Sequence, residues 1–467
     1  MKTSAQKEPI NFVWGKPAPS LLPVAELAYC VQDVLADPVS ATDALEYGDP
    51  AGPATLRQQV ADSLAEFYGT PNSAKEICIT GGASQGLSTI LQVLTDPLQT
   101  VQVWLVAPCF HLASRVFEDA GFTGKLRAVP ETDDGIDLEG LERSMLQQES
   151  ANALKSPRQS TSKPEDLQRK TYAHIIYIVP SFSNPSGRTL PLSHRHQLVS
   201  LARRFDALII SDDIYDYLAY PPTENAAIGD DPDTVSLLPR LVDIDRELPA
   251  IPTDPHGFGH ALSNGSFSKL IGPGVRTGWI SASPSVTQAL INAGASVAGG
   301  CPSQLGSAIV SRFIASGYLT SHVKHTIVPA YSRRRRLMVA AVQEFLHPLG
   351  AQVVKDYSEG HRSGGFYLWL RLPNKLDGGL VAQKCAELES LAVWPGEAFE
   401  IKGDPTVKLS SYLRLCFSWA EEDKIGEGIL RLSRVVDLML NGEHGAALEA
   451  EASWRNALWK ANTNASN

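Results

Sequence analysis

Between residues 74 and 290 the apolar residues change period again and again, and this alternation restricts the fold more than any other feature. Seven short runs predict strands: "EICIT", "VQVWLVAP", "KLRAVP", "HIIYIVP", "ALIISDD", "ALSNGSFS" and "RTGWISA". Helical patterns lie between them. After "GGASQG", Leu87, Ile90, Leu91 and Leu94 recur at i, i+3, i+4 and i+7, and in "HRHQLVSLARRF" Leu198, Leu201 and Ala202 share a face. Strands that alternate with helices pair in parallel, and the crossover helices cover both faces of the sheet. The expected fold is therefore α/β, a mostly parallel central sheet flanked by helices. Ligands of such sheets bind at the carboxyl ends of the strands.

From about Gly300 the pattern changes to long helices, "SQLGSAIVSRFIASG" and "VPAYSRRRRLMVAAVQEFL", followed by "GGFYLWLRL", "VAQKCAEL" and "YLRLCFSW". This predicts a second, smaller α/β domain. The division expected is an N-terminal arm with part of the small domain at 1–45, a large domain at 46–300, and the small domain with a tail at 301–467. Two stretches interrupt the large domain. Residues 147–170 are polar and poor in aromatics, which predicts a mobile surface insertion. Residues 221–259, rich in Pro and Asp, predict a long excursion before the next strand. The tail beyond Gly442 has helical content around Trp454, Leu458 and Trp459.

The chain has 51 Asp and Glu against 41 Lys and Arg, a formal charge of -10, which points away from a nucleic-acid partner. Its one basic run, "SRRRRL" (332–337), is expected on a solvated helix face. Cys30, Cys78, Cys109, Cys301, Cys385 and Cys416 are scattered with no CxxC pair, the pattern of reduced thiols rather than a disulfide frame or a zinc site. No metal site is expected. "MKTSAQKEPINF" lacks the apolar core of a secretory signal, and no apolar run is long enough to span a bilayer, so a cytoplasmic protein is expected.

Polar residues follow several predicted strands. "GGASQG" opens a helix with free N–H groups that suit a phosphate, although a Gly-rich turn has a purely structural reading too. It is neither GxxxxGK[ST] nor GxGxxG, so a nucleotide is not its natural ligand. "SNPSG" by itself is an ordinary turn. Asp212 follows four apolar residues and a serine and will be poorly solvated unless a cation pairs with it. Lys269 sits in "SNGSFSKLIGPGVRTGWI", a segment that otherwise reads as buried. A lysine, a phosphate cradle, a carboxylate and an aromatic ring together match the needs of pyridoxal 5'-phosphate.

These motifs resemble the class I/II aminotransferase family of fold-type I pyridoxal-phosphate enzymes, in particular its 2-aminoadipate and aromatic aminotransferase branch. The likeness runs from "INFVWGKPAP" to "RLSRVVDLML", with "SFSK" followed by "GPGVRTGW" close to a signature. The resemblance implies that Lys269 carries the cofactor as a Schiff base and shuttles the proton, its amine pKa lowered by cationic surroundings. Asp212 would pair with the pyridine nitrogen. Asp213 is its rival, but Asp212 has the family spacing to Tyr215. Asn184 and Tyr215 would bond the ring oxygen, and Phe110 would stack on the ring. The phosphate cup would be Gly82, Ala83, Ser84, Ser266, Ser268 and Arg276. Many relatives carry a hydroxyl where Ala83 stands, so only its N–H is left to donate. Tyr47 of "LEYGDPAG" resembles the tyrosine that reaches the neighbouring subunit's phosphate, which implies a homodimer with shared sites.

Arg414 of "YLRLCFSW" matches the arginine that grips the substrate α-carboxylate, and Gly15 the glycine lining the substrate pocket. Trp14 stands where many relatives have a small residue, and Asn184 also borders the substrate. These roles imply ping-pong transamination between an L-amino acid and a 2-oxo acid, the amino acid aromatic, aminoadipate-like or otherwise apolar. A C–S lyase or another specialised enzyme on the same scaffold is the alternative, kept open by the stretches at 147–170 and 221–259. A ligand-sensing regulator would carry a helix-turn-helix domain ahead of this one, and only ten residues precede Asn11.

Overall fold

The computed structural model describes residues 7–153, 169–220, 238–355, 363–373 and 376–441. Most of the expected insertion (154–168), the first part of the Pro- and Asp-rich stretch (221–237) and the tail with Trp454, Leu458 and Trp459 lie outside the described residues. After an extended segment, Ile10–Asn11, come helices α1 (Val24–Ala36) and α2 (Pro38–Leu45). The seven predicted strands then form one sheet: β1 (Ile77–Thr80), β2 (Gln102–Ala107), β3 (Leu126–Pro130), β4 (His174–Ile178), β5 (Ala207–Asp212), β6 (Ala261–Ser266) and β7 (Gly278–Ser281). Its order is β1-β7-β6-β5-β4-β2-β3. All pairs from β6 to β3 are parallel, and β7 runs antiparallel to both β6 and β1.

The central strands read as unbroken apolar runs because both of their faces are covered. Their period-2 alternation sends neighbours into two separate cores. Ile175, Tyr177, Leu208 and Ile210 join one core with Leu87, Ile90, Leu91 and Leu94 of helix α3 (Ala83–Leu94). Ile176, Ile178, Ala207 and Ile209 join the other with Leu198, Leu201 and Ala202 of α4 (Leu192–Arg204).

One expectation needs correction. Residues 147–153 are not loop but the end of a helix, Leu138–Ala153, and Lys170 pairs with Asp206 at 2.9 Å. The later part of the 221–259 stretch, expected as a long excursion before the next strand, forms α5 (Leu241–Glu247), which packs its buried residues Leu241, Val242 and Ile244 into the second core. Arg240 is wholly buried there, paired with Asp243 at 2.8 Å. A short helix rich in acidic residues hides its own period, which is why the sequence pattern missed it.

Helices α6 (Gln304–Ala315) and α7 (Val328–Ala341) lead to a four-stranded antiparallel sheet. It contains β8 (Gln352–Val353), β9 (Tyr367–Arg371), β10 (Trp394–Pro395) and β11 (Tyr412–Cys416), in the order β8-β9-β11-β10. Helices α8 (Gly378–Glu389) and α9 (Glu422–Asn441) complete this part, and Ile10–Asn11 pairs in parallel with Leu391–Ala392. The basic run on α7 does not simply decorate a solvated face. Arg334 is buried and ties α7 to the turn after β11, donating to Ser418 O at 2.6 Å and to Glu421 at 2.9 Å, whereas Arg333 is exposed.

Candidate active site

The parallel strands and β1 all end at one edge of the large sheet, and β7, running the other way, begins there. Asp212 pairs with Asn264, and Gly278 pairs with both Ser266 and Thr80. This single register gathers the turn after β1, the segment after β6 and the residues before β7. A cavity of about 480 Å³ opens at this edge, walled on its other side by β9, β10 and β11. Lys269, Asp212, Asn184, Tyr215, Phe110, Arg414, Trp14 and Gly15 all line it.

Asp212, 6% exposed, accepts a hydrogen bond on Oδ2 from the Tyr177 hydroxyl at 2.6 Å, while its buried Oδ1 has no hydrogen-bond partner. Burial pushes its carboxyl up to about 7, against the Tyr177 bond, which favours the charged form. Asp213, on the opposite side of the strand, accepts from Ser211 at 2.5 Å and from Ser263, and is not part of the cavity wall. The alternation of β5 therefore separates the two carboxylates.

Lys269 closes a turn of 3₁₀-helix, Phe267–Lys269, that Ser266 caps by accepting from Ser268 N at 3.2 Å. Its Nζ donates to Gly15 O at 2.6 Å. Any side chain at Gly15 would collide with the Tyr367 hydroxyl, so glycine is what lets this carbonyl come close. The amine pKa falls from 10.5 to about 8, but burial rather than cationic surroundings is the main cause: Arg414 adds only the smallest contribution, and Cys416 and Asp212 oppose it.

Arg414, 3% exposed, sits mid-strand on β11 between Trp369 and Trp394, with Leu413 and Leu415 in the core on the other face. Its guanidinium donates to Asn184 Oδ1 at 3.0 Å and to Val13 O at 2.5 Å, leaving Nε buried without a partner. It lies 4.3 Å from the Tyr367 ring centroid. Tyr215 and Tyr367 join through their hydroxyls at 3.1 Å.

Gly82, Ala83, Ser84, Ser266, Ser268 and Arg276 do not wall this cavity but gather beside it. Gly82 holds φ at 98°, and a Cβ there would come within 3.1 Å of Arg276 Nη2. Arg276 donates to Gly81 O at 2.7 Å, and the Ser266 and Ser268 hydroxyls meet at 2.9 Å. Helix α3 begins at Ala83, so the N–H groups of its first turn face the same cluster. Tyr47 is not brought to the site; it is 86% exposed.

The sequence reading missed Tyr177, Tyr367, His111, Trp394 and Lys16. Tyr177 carried one signal, a hydroxyl inside the apolar run "HIIYIVP". His111 carried none; its place in the wall depends on Trp394 and Phe399, which approach from distant segments. Burial pushes its pKa down to about 3, aided by Arg414.

The residues present fit pyridoxal 5'-phosphate. The orphaned Asp212 Oδ1 can accept from the pyridine N–H, a buried amine lies in the same cavity, and a glycine turn faces a guanidinium where a phosphate would sit. Fold and site together define a pyridoxal-phosphate enzyme of fold type I. The family model described as aminotransferase class I and II matches residues 28–432, and the chain belongs to that family. An uncharacterized protein of Saccharomyces cerevisiae is 32% identical, covering 90% of this chain and 95% of that protein. Aromatic-amino-acid aminotransferase 1 of Thermococcus litoralis is 28% identical, covering 93% and 90%. The crystal structure of Pyrococcus horikoshii kynurenine aminotransferase superposes with a TM-score of 0.72 at 26% identity, covering 94% of this chain and 93% of that one. The protein is thus a pyridoxal 5'-phosphate-dependent aminotransferase, whose substrates are an amino acid and a 2-oxo acid.

Proposed function

We propose that this aminotransferase takes an aromatic, an aminoadipate-like or another, apolar L-amino acid, and that the residues gathered at the sheet edge divide the work as follows. Bound there, the cofactor supplies an electron sink for the pair left when the substrate Cα–H bond breaks. Lys269 holds the cofactor covalently at rest and, once displaced, takes the Cα proton. An amine with a pKa near 8 has a useful fraction of free base near neutral pH. Asp212 accepts the pyridine N–H on Oδ1, and a cation at that atom reverses the rise that burial imposes, so the carboxylate stays ionised.

Tyr177 occupies Oδ2 and orients the carboxylate. Tyr215 and the Asn184 amide nitrogen donate to the ring oxygen, while Phe110 covers one ring face. The first-turn N–H groups of Gly82, Ala83 and Ser84, the hydroxyls of Ser266 and Ser268, and the Arg276 guanidinium hold the phosphate. Arg414 takes the substrate α-carboxylate, exchanging its bonds to Asn184 and Val13 for a planar, two-point contact. Trp14 and Trp394 give the side chain an apolar wall, which suits the names of the aromatic and kynurenine enzymes it resembles.

The enzyme is a homodimer in this reading. Val24, Val39, Leu45 and Tyr47 are all exposed on α1, α2 and the segment beyond, an apolar surface that a second copy would cover while bringing Tyr47 of the partner subunit to the phosphate. Six free, buried cysteines suit the reducing cytoplasm. The observation that carries the proposal is the sharing of one cavity by Lys269 and the orphaned Asp212 Oδ1. Its test is Lys269→Ala. The expected result is loss of the visible cofactor band and of turnover by at least about 10⁴-fold, with the wild type releasing one equivalent of 2-oxo acid from an amino donor alone. Turnover by Lys269→Ala, or ammonia release without an acceptor, would overturn it.

A further inference from the structure

The N-terminal segment crosses the cavity as a strap, and each of four successive carbonyls is tied down. Val13 O accepts from Arg414 at 2.5 Å, Trp14 O from Cys416 Sγ at 3.1 Å, Gly15 O from Lys269 at 2.6 Å and Lys16 O from Ser418 at 2.9 Å. The two bonds that substrate and cofactor leave in place, at Trp14 O and Lys16 O, fix where the Lys16 side chain starts, and two indoles fix where it ends. Lys16 Nζ lies 4.4 Å from the Trp14 ring centroid and 4.5 Å from that of Trp419, and the two rings meet edge to face at 4.7 Å. Lys16 lines the cavity, and among the described residues no carboxylate pairs with it.

We propose that Lys16 is a specificity-determining residue that binds the distal carboxylate of a dicarboxylic substrate. The inference rests on the aminotransferase reading above and deepens it. Among the described residues, three cations line the cavity. Arg414 serves the α-carboxylate and Lys269 serves the cofactor, so Lys16 is the one left for a second anionic group. The other basic side chain of the wall, His111, is kept uncharged by its burial. Indole faces attract an ammonium without neutralising it, so its charge remains available to a ligand. An ammonium on a four-carbon stem suits a single carboxylate oxygen at more than one chain length, as a planar fork would not. An apolar side chain lies against Trp14 and Trp394 without needing Lys16, so one cavity serves both kinds of substrate.

The experiment uses the purified holoenzyme and compares L-glutamate with L-glutamine, which differ at the distal group in charge but hardly in size. The expected result for Lys16→Met is a fall of at least about tenfold in the glutamate-to-glutamine ratio of kcat/KM, carried by KM. Lys16→Arg, which keeps the charge but presents a planar fork, should recover only part of the ratio that Lys16→Met loses. Independently of turnover, tryptophan fluorescence from the two adjacent indoles reports binding of glutarate and of pentanoate. Lys16→Met should weaken glutarate about tenfold more than pentanoate. An unchanged ratio, equal losses on both amino acids, or a wild type that binds glutarate no better than pentanoate overturns the assignment. A wild type that transaminates no amino donor sinks the aminotransferase reading instead, and the glutarate titration still decides Lys16. Should Lys16→Met lose its cofactor band, Lys16→Gln takes its place in both measurements.

Discussion

The two ends of the proposed site are built differently. The phosphate end, from β1, β7 and β6, is largely main chain: a glycine turn, the first turn of α3, two serines within three residues and an exposed arginine. The ring and substrate end draws single side chains from β5, β11, the Asn184 loop and the N-terminal strap, and it is there that Asp212 Oδ1 and Arg414 Nε are buried without partners. Redundant donors at a wet site share the load, so one loss is partial. A lone charge in a desolvated site has no substitute, so one loss is severe. The structure therefore concentrates its vulnerability at the ring end.

The comparison breaks most readily at Asp212. Asp212→Asn should cut kcat/KM at least about 10³-fold while cofactor binding, followed by absorbance, changes far less; a loss below tenfold would show that the orphaned oxygen matters little. Arg276→Leu tests the other end. It should weaken cofactor affinity about 30-fold, the loss of one charge-assisted contact, and excess cofactor should restore most of kcat. Failure of that rescue would mean that the phosphate end is not redundant. Tyr177→Phe sharpens the contrast with the smallest effect, about tenfold in kcat/KM. The Tyr177 bond favours ionised Asp212, so its removal raises that pKa and Asp212 protonates at higher pH. The acid limb of the pH profile should accordingly move up, and a limb that stays in place or moves down contradicts the assigned role.

The same division explains what could be read early. The phosphate-end residues lie in short motifs, "GGASQG" and "SFSKLIGPGVR", and the central strands β2, β4 and β5 announced themselves because burial on both faces leaves nearly unbroken apolar runs. Lys16, His111 and Tyr367 were invisible because nothing local marks them; they meet the site through β9, β10 and the strap, far apart in the chain. Arg334 was misplaced on a solvated face because one arginine of a basic run looks like the next until Ser418 packs against it.

By itself the sequence determined the kind of sheet, the identities of its strands and the residues that follow their ends, since periodicity and turn chemistry are local properties. Only the tertiary structure decided the strand order that puts β7 between β1 and β6. It likewise decided which face of β5 carries Asp212 toward Lys269, and which carbonyls the N-terminal strap offers to Arg414 and Lys269. Those outcomes depend on which distant surfaces exclude water from one another, and no window of the chain contains both partners.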